Sequence, residues 1–136
     1  MANTHSIVAL DVGERRIGVA VADTAVRIAV AYDTIEVDGS ELEAIARIVI
    51  SERADTLVIG FPRNQAGEPT AQTAFVVAFS ENLKDVAENI VFQDESLTSV
   101  LAEQRLKSYK KPYTKGDIDA QAAAIILQDY LEANYA

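Results

Sequence analysis

The segment Thr56-Leu57-Val58-Ile59-Gly60 constrains the fold of this chain more than any other. It is a short, almost continuous apolar run, closed by a glycine and followed by Pro62. Such a run, without polar alternation, fits a strand covered on both faces, and strands of that kind belong to sheets with parallel neighbours and helices above and below. Ile90 to Gln93 repeats the pattern. Between the two, Thr70 to Ala87 places Phe75, Val76, Phe79 and Leu83 at a period near 3.6, so a helix is expected to carry the chain from one strand to the next. Phe61 to Pro69 is the loop before it.

The N-terminal part has a different rhythm. Residues 6–12 and 16–23 are rich in Val, Ile and Ala around Gly13-Glu14-Arg15, which predicts a β-hairpin, with a third strand at 27–35. Ser40 is an N-cap candidate with Glu43 three residues on, as a capping box requires, and Leu42, Ile45, Ala46, Ile48 and Val49 follow at helical spacing, predicting a helix to Arg53. After the Ile90 strand two more helices close the chain. They are separated by Ser108 to Lys115, where Lys111-Pro112 interrupts helical structure. The expected fold class is α/β: a mixed five-stranded sheet, an antiparallel meander followed by parallel strands, flanked by helices. At 136 residues the whole of 1–136 is expected to form a single domain.

Composition narrows the chemistry. The chain has no cysteine, which removes disulfides, thiolate catalysis and cysteine-ligated metals. His5 is its one imidazole, so a serine-histidine-acid triad would have to form around the start of the first strand, and zinc would lack its usual nitrogen ligands. Cations that prefer oxygen, magnesium and manganese, remain. Residues 1–6 carry no basic leader, and Asp11 breaks the following apolar run long before a membrane span is complete, so a cytoplasmic protein without a membrane segment is expected.

Three acids stand where solvated ones are not expected. Asp11 ends Ile7-Val8-Ala9-Leu10, Glu95 ends Ile90-Val91-Phe92, and Asp119 shares a helix stripe with Ala122, Ala123, Ile126 and Leu127, whereas Asp117 need not. Ligands gather at the carboxyl ends of parallel strands, and Asp11 and Glu95 lie at such ends. Each acid also has an ordinary explanation: Asp often opens a turn, as is expected of Asp94 too, and Asp in a first helical turn gains ~0.3–1 kcal/mol from the macrodipole. Converging, they would need a cation, because a buried unpaired carboxylate costs several kcal/mol or more.

The run Asp11-Val-Gly-Glu-Arg-Arg-Ile-Gly-Val-Ala-Val-Ala-Asp23 resembles the opening motif of the YqgF-type (RuvX) family within the ribonuclease H-like superfamily. Gln93-Asp-Glu-Ser-Leu-Thr-Ser99 is similar to that family's Asp-Glu-Arg-Leu-Thr block, Asp119 to Gln128 to its closing Asp-x-x-Ala-Ala helix, and Ile59 to Gly67 to its Gly-Leu-Pro loop. The blocks keep their order over nearly the whole chain. The resemblance implies a ribonuclease H-like fold and a nuclease whose catalytic and metal-binding acids are Asp11, Glu95 and Asp119, holding magnesium or manganese as two ions ~3.5–4 Å apart, an arrangement that needs no nucleophilic side chain. The implied substrate is the 5′ end of precursor 16S ribosomal RNA, with ribosomal precursor particles as partners. The alternative is a Holliday junction resolvase, which would cut branched DNA and requires a symmetric dimer; monomer or homodimer is left open. One departure from the family pattern is Ser96 in place of arginine, a lost cation that motivates a third reading, a nucleic-acid-binding module with weak catalysis. An actin-like ATPase also begins with Asp-x-Gly on a hairpin, but grips its nucleotide between two such domains, more than 136 residues provide.

The formal charge of −9 argues against nucleic acid until its distribution is considered. Arg105, Lys107, Lys110, Lys111 and Lys115 fall in a stretch without a single acid, either a solvated loop or a clamp for a phosphate backbone, with Tyr109 or Tyr113 available to stack on an unpaired base. Arg15, Arg16 and Arg63 are further candidates; Arg16 matches the family motif, or else pairs with Glu14 or Asp23. Gly13 fits either a hairpin turn or close approach to a phosphate, Gly18 similarly either close approach or a bulge, and Thr98 a helix cap.

Overall fold

The computed structural model describes residues 4–64, 66–95 and 98–135; Ser96, the departure noted above, lies outside them. The chain runs β1 (Ser6–Val12), β2 (Arg16–Asp23), β3 (Val30–Glu36), α1 (Glu41–Ser51), β4 (Ala54–Pro62), α2 (Ala71–Glu81), β5 (Asn89–Glu95), α3 (Thr98–Ser108) and α4 (Lys115–Tyr135). The five strands form one sheet in the order β3-β2-β1-β4-β5. β1, β2 and β3 pair antiparallel, while β4 adds parallel to β1 and β5 parallel to β4. The mixed sheet expected from the element order is the one observed.

Strand alternation splits the core into two layers. Val8, Leu10, Leu57 and Ile59 face the side packed by Ile45 and Val49 of α1 and Val76 of α2. Ile7, Ala9 and Val58 face Ala123, Ala124, Ile126 and Leu127 of α4. β1 and β4 are therefore covered twice, which is why Val8, Ala9, Leu10, Leu57, Val58 and Ile59 are all fully buried and why their sequence shows no polar alternation. α3 packs outside α4 through Ala102, against Ala122 and Ile125.

Gly18 fixes how deeply α4 settles on the sheet. A Cβ at this position would lie 1.8 Å from the Asp119 carbonyl oxygen and 2.8 Å from the Ala120 nitrogen. Only a residue without a side chain lets backbone approach backbone this closely. Gly18 is expected to allow a close approach or a bulge; the approach is that of the α4 backbone, and a register shift lies next to it between Val19 and Ala20.

Several local details differ from expectation. α1 stops at Ser51, because Glu52 caps it and Arg53 turns into the left-handed region at φ 53°. Ser40 occupies the N-cap position but makes no side-chain cap bond; its Oγ donates to Asp38 Oδ1 at 2.6 Å, so the capping box with Glu43 does not form. α2 ends at Glu81 rather than Ala87, with Asn82 as its C-cap and tight turns bringing Leu83 into the core. Its start is as expected at Thr70, which shares a capping box with Thr73. Asp94 does not open a turn, being part of β5. Among the described residues no helix is long and apolar enough to cross a membrane.

Candidate functional site

Alternation that buries Ile7 and Ala9 under α4 delivers Asp11 to the same face at the carboxyl end of β1. β5 does likewise with Val91 and Glu95. Room for Glu95 between β4 and α4 exists because residue 60 is glycine: a Cβ there would lie 3.0 Å from Glu95 Cδ and 2.7 Å from Ile126 Cδ1. Thr98, buried at the first residue of α3, donates from Oγ1 to Glu95 Oε2 at 3.0 Å. Its hydroxyl thus holds one of the three candidate acids, a role that the cap expectation missed. Asp119, in the opening turns of α4, arrives over Gly18, and Gly18 pairs across the hairpin with Asp11.

Asp11 feels the other two acids. The Asp11 carboxyl is pushed up from 3.8 to about 8, first by its burial and then by the charges of Glu95 and Asp119. Burial also raises Glu95, while the Thr98 hydrogen bond pulls it back. Among the described residues no three such side chains are close enough together to hold an ion as they stand. Asp119 is engaged elsewhere: its Oδ2 accepts from Arg16 Nε at 2.7 Å. Arg16 therefore pairs with neither Glu14 nor Asp23. The donor set is all oxygen, and its shared repulsion is of the kind a divalent cation relieves, so the residues suit magnesium or manganese.

Beside the Arg16–Asp119 pair lies an open cleft of about 440 Å³ lined by Gly13, Glu14, Arg15, Arg16, Gln72 and Asp119. Gln72, a residue with no distinguishing sequence signal, donates from Nε2 to the Val12 carbonyl at 3.1 Å and fastens α2 to the end of β1. Gly13 serves the hairpin, its N–H bonding the Arg16 carbonyl at 3.0 Å.

All five cations of the basic stretch are exposed, while Leu106 and Tyr113 between them are half-buried. Arg105 and Lys107 occupy the last turn of α3, Lys110 and Lys111 the connection, and Lys115 the first residue of α4, one turn before Asp119. Among the described residues none of the five forms an ion pair. Tyr109 is exposed, whereas the Tyr113 hydroxyl donates to Glu103 at 2.8 Å and is committed within the fold.

The RuvX family model, described as Holliday junction resolvase, matches residues 5–133. The chain belongs to the RuvX family. Among its RuvX relatives, a protein of Chloroflexus aggregans provisionally named a pre-16S rRNA nuclease is 43% identical over 136 residues, covering 96% of each chain. A Staphylococcus carnosus protein with the same provisional name is 35% identical, covering 96% of this chain and 97% of its own. Among solved structures, Thermus thermophilus RuvC in complex with a Holliday junction substrate matches with a TM-score of 0.57 at 13% identity, over 95% of this chain and 94% of RuvC. The fowlpox virus Holliday junction resolvase matches at 0.53 and 12% identity, over 94% and 99%. At such identities the likeness is one of fold alone, and it bears out the ribonuclease H-like fold expected from the motifs.

Proposed function

We propose that this chain is a divalent-metal-dependent nuclease, a single domain over residues 1–136, that processes the 5′ end of precursor 16S ribosomal RNA in the cytoplasm. The observation that carries the reading is the delivery of Asp11 and Glu95 to one helix-covered face at the ends of β1 and β5, the two strands that flank β4, with Asp119 close enough to raise Asp11. Carboxyls crowded at the carboxyl ends of strands, one of them buried and raised by its neighbours, are an arrangement that a bound cation would relieve. The names of the RuvX relatives support RNA as substrate.

Asp11, Glu95 and Asp119 would hold magnesium or manganese, which when bound activates a water and stabilises the departing oxygen of the phosphodiester. Thr98 keeps one Glu95 oxygen oriented. Arg16 balances the charge of Asp119 and, released from it, offers its guanidinium to a phosphate oxygen in the adjoining cleft. Arg105, Lys107, Lys110, Lys111 and Lys115 bind the backbone of the strand as it reaches the start of α4.

Resolution of four-way DNA junctions is the second reading, favoured by the description of the family model and by the fold shared with RuvC. Purified protein and Asp11→Asn, incubated with an end-labelled precursor RNA fragment and with a mobile four-way junction, in manganese, magnesium or chelator, separate the two. Metal-dependent cutting of RNA alone, lost in the variant, is the expected result. Symmetric cutting of the junction alone establishes the resolvase, and binding without cutting of either leaves a binding module.

A further inference from the structure

The same carboxyl rim of the sheet carries a second group of side chains that the acids do not use. Alternation along β5 turns Glu95 toward α4 and sends Phe92 and Asp94 to the opposite face, where Phe61 of β4 meets them. Phe61 and Phe92 touch edge to face, with ring centroids 5.2 Å apart and planes at 70°. Arg63 lies over Phe61, its Cζ 4.8 Å from the ring centroid. Its Nε donates to Asp94 Oδ1 at 2.9 Å and one terminal nitrogen to the Gly67 carbonyl at 3.3 Å. Phe61, Arg63, Phe92, Gln93 and Asp94 line an open hollow of about 390 Å³.

Phe92 is 43% exposed on an edge strand, where charged residues are the usual protection against unwanted pairing. A ring left open there is a surface for a flat partner. The guanidinium beside it is fixed by two acceptors and balanced by Asp94, so the hollow presents aromatic area and a neutralised pair rather than the bare negative charge that dominates this chain. Aromatic faces with an adjacent arginine are the means by which unpaired bases are held without reading their sequence. The location also fits: β5 is an edge strand, so a nucleic-acid strand can pass round it from one face to the other, and Phe92 stands three residues before Glu95, about 10 Å along the strand.

We propose that this hollow is a stacking subsite for an unpaired nucleobase of the RNA strand that reaches the acids, with Phe92 giving its ring to the base and Arg63 a remaining donor to the neighbouring phosphate. The subsite rests on the nuclease reading of Asp11, Glu95 and Asp119. It requires that the substrate be single-stranded a few nucleotides from the scissile bond, and it makes β5 a shared wall with Glu95 serving chemistry on one face and Phe92 serving binding on the other.

The test is fluorescence anisotropy with a labelled single-stranded RNA of precursor 5′ sequence, and with the same strand annealed to its complement, in chelator so that nothing is cut. Phe92→Leu keeps the apolar bulk and removes the ring, and is expected to weaken single-strand binding about tenfold while leaving the duplex within about twofold; Phe92→Tyr should bind like the wild type. Circular dichroism of each variant checks the fold. Cleavage in manganese is measured on the same strand in parallel. Wild-type affinity in Phe92→Leu overturns the subsite and leaves the nuclease reading intact. Ring-dependent binding without any cleavage supports the subsite and overturns the nuclease. A wild type that does not bind the single strand overturns both.

Discussion

Asp11→Asn should make the metal-free protein more stable, and by an amount that depends on pH. A carboxyl raised from 3.8 to about 8 by folding is one whose neutral form suits the fold better than its charged form. The stabilising contribution of its proton is complete below the unfolded value, declines as the pH climbs past about 4, and is gone above about 8. At 1.36 kcal/mol for each tenfold change in proton affinity, the rise corresponds to a ceiling of about 5–6 kcal/mol of charge repulsion and desolvation at high pH. Relaxation and the effective protein dielectric reduce this, and about 2–3 kcal/mol is the expected remainder. Asparagine has the same shape and no charge, so at about pH 9 in chelator the variant should exceed the wild type by that amount, while at about pH 4 the two should agree. Urea unfolding followed by far-ultraviolet circular dichroism measures it, with the m-values checked for equality. In thermal melts the difference amounts to about 7–10 °C for a chain of this size. A variant that is no more stable at high pH, or whose advantage does not change with pH, would refute the account of Asp11 as a carboxylate under strain from Glu95 and Asp119.

Three other variants probe the surroundings of the candidate site. Gly18→Ala should cost about 3 kcal/mol or more, measured by urea unfolding, since its Cβ would stand 1.8 Å from the Asp119 carbonyl and only displacement of α4 could accommodate it. Thr98→Val removes the donor to Glu95 Oε2 and should weaken manganese binding at least about tenfold in titration calorimetry, with secondary structure unchanged. Lys110→Ala combined with Lys111→Ala should weaken RNA binding evenly across sequences and flatten the plot of log affinity against log salt by about 1.4, the value for two single-strand phosphate contacts.

Much of this was legible in the sequence, for identifiable reasons. β1 and β2 lie where the Val, Ile and Ala runs placed them, because a strand buried on both faces tolerates nothing else, and Thr56 to Gly60 falls inside β4 for the same reason; Ile90 to Gln93 falls inside β5, but that strand is an edge with no fully buried residue rather than one covered on both faces. Boundaries set by a single side chain were less readable. Whether Ser40 bonds the helix or Asp38 depends on a hydroxyl rotamer, and the end of α2 depends on Leu83 reaching the core, a tertiary demand that the continuing 3.6 pattern conceals. Asp11 and Glu95 were visible as acids ending apolar runs. The arrangement around them was not: Thr98 resembles any helix start, Gln72 any exposed glutamine, and the Arg16–Asp119 pair joins residues 103 positions apart. Phe92 was hidden for a different cause, since an aromatic in an apolar strand is taken as core, and only the sheet order shows β5 to be an edge.

The register of the β1–β2 hairpin ties these parts together. Asp11 faces Gly18, and Gly18 receives the Asp119 backbone, so the two acids are brought toward each other by one cross-strand pair rather than by their own contacts. Because side chains alternate, a slip of one residue would turn Asp11 into the layer of Leu10 and Val12 and drive a side chain into α4. That slip is opposed at both ends of the hairpin. The Gly13 N–H closes the turn on the Arg16 carbonyl, and at the far end the Thr24 N–H bonds the His5 carbonyl at 3.0 Å while the His5 N–H bonds Thr24 Oγ1 at the same distance. Arg16, the first residue of β2, then reaches Asp119 only in this register. The hydrogen bonds of an ordinary hairpin thereby position two acids and an arginine, and this is why residues so distant in sequence can form a site with few direct contacts among themselves.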